Sequence, residues 1–69
     1  MNDMKKELEA LLEYLVGHNR DHAEEIVELA EKAMALGIDC ARNEMMEGVE
    51  KLKQSNSHLE AALNMLRSK

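Results

Sequence analysis

The sequence predicts an all-α protein, and three observations carry that expectation. Leu, Ala, Met, Glu and Lys, which lose little on entering a helix, dominate the 69 residues. The residues that strands favour are scarce: there is no phenylalanine or tryptophan, and Tyr14 is the single tyrosine. Proline, the strongest helix breaker, is absent.

The first helix is expected over residues 3–36. Its apolar positions repeat at a helical period in two interleaved seven-residue series. One is Leu8, Leu15, His22, Leu29 and Leu36, and the other is Met4, Leu11, His18 and Glu25. The stripe is apolar at both ends and polar in the middle. Gly17 to Asp21 is a place where this helix can break, at residues 17–20, with Asp21 and Glu24 as a box-like cap for a restart.

The turn is expected at residues 37–38. Gly37 can take the left-handed position that closes a helix, Ile38 the hydrophobic contact that accompanies it, and Asp39 the cap of the next helix. The second helix then runs over residues 39–67. Ile38, Met45, Leu52, Leu59 and Leu66 form one of its series, and Ala41, Gly48, Asn56 and Leu63 track the other within a residue. Ser57 to Glu60 also has the form of a capping box.

Both helices rise about 1.5 Å per residue, so residues facing each other across an antiparallel hairpin have numbers that add to roughly 74. Leu15 then faces Leu59, Leu11 faces Leu63, Leu8 faces Leu66, and His18 faces Asn56. The expected polar layer therefore contains His18, His22 and Asn56 inside an otherwise apolar seam.

Two helices cannot enclose a core, and the apolar face is wider than one seam, because Leu12, Val16, Ile26, Val27, Ala30, Ala33 and Met34 flank the first stripe and Met46, Val49, Ala62 and Met65 flank the second. The simplest closed arrangement is a homodimer forming an antiparallel four-helix bundle, followed by a higher homo-oligomer and then by a three-helix monomer. A chain this short also gains little stability from a lone core.

Nine basic against fourteen acidic residues leave a net charge of −5, and the basic ones are scattered along the chain. Nucleic-acid binding, which needs a basic patch or stripe, is not expected. No apolar run approaches the ~20 residues of a membrane span, and the charged opening lacks the apolar segment of a secretion signal. With Cys40 as the lone cysteine, a cytoplasmic protein is expected.

His18 and His22 stand at i and i+4, one helical turn apart, where two imidazoles can chelate one ion. Glu25 lies a further turn along, and zinc, nickel, cobalt or copper in the divalent state suits such ligands. The competing interpretation is a buried His and Asn layer that only fixes register and oligomeric state in a structural or adaptor module. His58 is expected on a solvated flank. Met34, Met45, Met46 and Cys40 near the turn fit gap-filling core better than a Cu(I) site.

The chain has no catalytic constellation. The pairs Glu25 and Glu28, and Glu47 and Glu50, have the spacing of the acidic motifs in helical nucleotide pyrophosphohydrolases, but helix-surface carboxylates at this spacing are ordinarily solvated. Neither the Glu-x-x-His of di-iron bundles nor the His-Glu-x-x-His of zinc peptidases occurs.

The segment from His18 to Glu25, His-Asn-Arg-Asp-His-Ala-Glu-Glu, together with Asn56-Ser-His-Leu-Glu-Ala-Ala-Leu63, resembles a small, largely uncharacterised group of prokaryotic helical proteins. That group has a His-Asn-x-x-His-Ala-Glu-Glu core and a later Asn-x-x-Leu-x-x-Ala-Leu segment. Some members carry His-rich tails, so the resemblance implies transition-metal handling, with His18, His22 and Asn56 as the matching positions.

Overall fold

A computed structural model describes residues 3–69 and consists of two helices, α1 (Asp3–Ala35) and α2 (Asp39–Arg67), packed against each other as a hairpin. The molecule is a rod of 56 × 14 × 12 Å with a radius of gyration of 15.9 Å. A globule of this length would have a radius of gyration of about 11 Å. The rod follows from long helices joined by the shortest of turns.

The turn forms as the glycine and the apolar residue after it dictate. Gly37 adopts φ of +77°, its N–H donates to the Met34 carbonyl at 2.9 Å, and the Ile38 N–H donates to the Ala33 carbonyl at 2.9 Å. These are the two bonds of a Schellman closure, and they satisfy carbonyls that the last turn of α1 would leave bare. Asp39 does not cap α2. It is the first helical residue, with Ile38 in the capping position and no side-chain cap bond, so its carboxylate acts only through the helix dipole.

Neither helix breaks at its weak point. α1 continues through Gly17 and Asp21, where a glycine costs only about 1 kcal/mol relative to alanine. Ser57 sits inside α2, and its Oγ donates back to the Lys53 carbonyl at 3.1 Å instead of capping a helix start.

Asn19 and Asn56, whose numbers add to 75, are hydrogen-bonded across the hairpin and fix its register. The most enclosed residues follow the same register. Along α1 the inward seam passes through Leu12, Val16, Asn19, Ala23, Ile26, Ala30 and Ala33, all buried or half-buried. Along α2 it passes through Met45, Val49, Leu52, Asn56, Leu59, Leu63 and Leu66. Both follow the alternating three- and four-residue steps of a heptad seam.

The inward face of α2 is the expected one, whereas that of α1 lies one residue further along. Leu8, Leu11, Leu15 and Leu29 are exposed, and so are His18 and His22. One residue turns a helix by about 100°, so the difference exchanges one stripe for its neighbour. The physical reason is twofold. Ala23, Ala30 and Ala33 let the backbones approach while α2 supplies the larger side chains. Turning the other stripe inward would bury two imidazoles and a carboxylate at a cost that one amide pair avoids.

Candidate metal-binding site

Because the two helices run antiparallel, stepping one residue back along either of them rotates to the same side of the hairpin. That side carries the stripe with His18 and His22 on α1, beside a mixed row on α2 in which Gly48, Ser55 and Ala62 alternate with the exposed Glu44, Lys51, His58 and Met65. Stepping one residue forward reaches the opposite side. There Arg20 pairs with Glu60, and Arg67 pairs with Glu13 at 2.6 Å. The hairpin thus has an ionic side, latched by cross-helix ion pairs, and a side of exposed apolar residues.

The imidazoles lie in the middle of this second side. His22 Nε2 is 2.9 Å from His18 Nε2, and the two rings meet edge to face with centroids 4.3 Å apart. One Nε2–H donates to the other ring's bare Nε2, so the two nitrogens point at each other one helical turn apart. Tyr14, one turn earlier, stacks on His18 at 5.5 Å between centroids and limits the swing of that ring. On the far side, His22 Nδ1 lies 3.5 Å from Glu25 Oε2. A carboxylate there favours the proton on Nδ1 and leaves Nε2 with its lone pair, the usual arrangement of a metal-ligating histidine.

Glu25 therefore stands behind His22 and does not share a centre with both Nε2 atoms. Among the described residues, no group of three or more His, Cys, Asp or Glu side chains is gathered as a metal site. One chain brings together two nitrogen ligands. Asn56 does not join them: it is 6% exposed and lies in the inward seam, where its amide donates to the Val16 carbonyl at 3.0 Å and its oxygen accepts from Asn19. The residue across from Asn56 is Asn19, and the expected pairing with His18 fails for the same one-residue reason as the stripe. Asn19 stands at seven-residue spacing with Leu12, Ile26 and Ala33, which flank the leucine stripe, but as a polar residue it was not among the expected flank positions.

Residues 8–66 match a family described as a domain of unknown function, DUF8180. The chain belongs to this family. The DUF8180 match covers most of both helices, the turn, the His18 and His22 pair, and the Asn19 and Asn56 layer. No curated protein and no solved structure matches the chain. Among the described residues no helix is long and apolar enough to cross a membrane.

Proposed function

We propose that this DUF8180 protein is a non-enzymatic, cytoplasmic helical-bundle protein that binds a divalent transition metal through His18 and His22 as a homo-oligomer, the simplest form being a dimeric four-helix bundle. The observation that carries the proposal is the 2.9 Å separation of the two Nε2 atoms on an exposed helix face. Imidazole is a ligand for zinc, nickel, cobalt and copper, and the i, i+4 spacing fixes the pair before any ion arrives. The carboxylate of Glu25, 3.5 Å from His22 Nδ1, supports the same reading, because a carboxylate on that side favours the proton on Nδ1 and a bare Nε2.

The exposed apolar residues on the same side support the oligomer. Met4 is 82% exposed and Leu11 66%, and soluble chains seldom leave such a contiguous stripe in water. Native mass spectrometry with nickel or zinc supplied tests the metal reading. The wild-type chain retains the ion, and the variant carrying both His18→Ala and His22→Ala does not; equal retention by the two would remove the site.

The structural-module reading keeps one observation of its own. The Asn19 and Asn56 pair is the kind of buried polar contact that fixes helix register without any ligand. It is independent of the imidazoles, since the two sets occupy different faces of α1.

A further inference from the structure

Two nitrogens do not complete a transition-metal shell, and the residues flanking them show how a shell can be completed. The outer stripe of α1 is a second heptad seam, offset by one residue from the seam that packs on α2. Met4, Leu11, His18 and Glu25 hold one of its positions, and Leu8, Leu15, His22 and Leu29 hold the other. Its apolar members, Met4, Leu8, Leu11, Leu15 and Leu29, are 40 to 82% exposed, which amounts to roughly 500–600 Å² of exposed surface, the larger part of the ~800 Å² per partner of a standard interface.

We propose that a second copy of this chain covers this stripe, with its α1 antiparallel to this α1, and that the two His18 and His22 pairs meet on the two-fold axis to hold one divalent transition-metal ion with four imidazoles. The inference rests on the metal reading above and adds the source of the missing ligands.

The register follows from the stripe. In an antiparallel pair of heptad seams, the first kind of position lies across from the second, so His18 faces the partner's His22, or the partner's Leu15 or Leu29 after a slip of one heptad. The midpoint of α1, Asp3–Ala35, falls at Asn19, so full overlap of the two rods selects the His18 to His22 register. Leu11 then faces the partner's Leu29, and Met4 faces the partner's Leu36. The mismatched layers pair Leu8 with the partner's Lys32 and Leu15 with the partner's Glu25, where long stems reach out to water.

The 2.9 Å between His18 Nε2 and His22 Nε2 is the length of the N–H···N hydrogen bond they share, so an ion takes the pair only when that proton leaves. Zinc, nickel, cobalt and copper in the divalent state all accept neutral imidazole, and the distance ranks none of them above the others.

The test titrates the full-length protein with Cu(II), Ni(II) or Zn(II), reading stoichiometry by native mass spectrometry and the ligand set by electron paramagnetic resonance of the Cu(II) form. The expected result is one ion per two chains and a spectrum of four equatorial nitrogens. Leu11→Glu keeps every ligand, so it should retain the helical circular dichroism of the hairpin while losing the dimer and weakening metal binding by about tenfold or more. A monomer holding one ion through two nitrogens, or a Leu11→Glu chain that binds as the wild type does, overturns the shared centre and leaves the metal reading standing. A wild-type chain that binds none of the three ions overturns both.

Discussion

Asn19 Nδ2 donates to Asn56 Oδ1 at 3.0 Å in the middle of a seam that is otherwise apolar except for Arg42 near the turn. Asn56 in turn donates to the Val16 carbonyl at 3.0 Å, so the pair ties both side chains to one level of α1. Any slip of one helix past the other breaks both bonds. A slip by a whole heptad would still leave aliphatic residues facing aliphatic residues along most of the seam, so within the seam it is the amide layer that opposes it, alongside the short turn and the Arg20–Glu60 and Arg67–Glu13 pairs outside it.

Replacing both asparagines with leucine is therefore expected to stabilise the hairpin while loosening its register. The gain is on the order of 1–2 kcal/mol, because an amide pair is exchanged for apolar contact, and it should raise the melting temperature by roughly 4–15 °C in a domain this small. Thermal unfolding followed by circular dichroism reads the first effect. Broadened amide resonances near residues 19 and 56 read the second. Asn56→Ala alone should instead lower stability by about 1–3 kcal/mol, since it opens a gap and strands the Asn19 amide.

The fold was legible in the sequence down to the turn, because composition, the absence of proline and the Gly37 and Ile38 pair all act locally. The inward face of α2 was legible for a different reason: α2 has one apolar seam. α1 has two, offset by one residue, and the richer in leucine is the outer one. Choosing between them depends on how closely Ala23, Ala30 and Ala33 let the helices approach and on what it costs to bury His18, His22 and Glu25, and neither quantity is visible in periodicity. The candidate site shared that fate. The i, i+4 spacing of the two histidines was readable, whereas their separation from Asn56 was set by the choice of seam.

The glycines separate cleanly by backbone conformation. Gly37→Ala should cost about 1 kcal/mol, because an L side chain at φ of +77° is strained even though nothing stands near the added Cβ. Gly17 lies within α1 with open space around it, so Gly17→Ala should gain about 0.5–1 kcal/mol from helix propensity. Urea denaturation of the two variants should move the midpoint in opposite directions with little change in slope.

Arg42 is half-buried near the turn, and its Nε is buried without a hydrogen-bond partner. It stands in the inward seam, three residues before Met45. Arg42→Met keeps the length of the stem and removes the unpaired donor, so stability should rise by about 1 kcal/mol. A midpoint in urea below that of the wild type would show that the guanidinium contributes more than its orphaned nitrogen costs.

Two leucines of the same size distinguish the two sides of the hairpin. Leu63 is 5% exposed in the seam between α1 and α2, whereas Leu11 is 66% exposed on the outer stripe. Within a single hairpin, Leu63→Ala should cost about 2–5 kcal/mol, and Leu11→Ala should cost a few tenths or nothing. If the outer stripe packs against a second copy, Leu11→Ala acquires an effect that depends on protein concentration, because it weakens association and leaves the hairpin intact. Melting curves at concentrations spanning two decades should therefore show Leu63→Ala displaced by a constant amount and Leu11→Ala displaced only where the wild type is associated. A Leu11→Ala penalty that is large and independent of concentration would mean that the outer stripe packs within the chain itself.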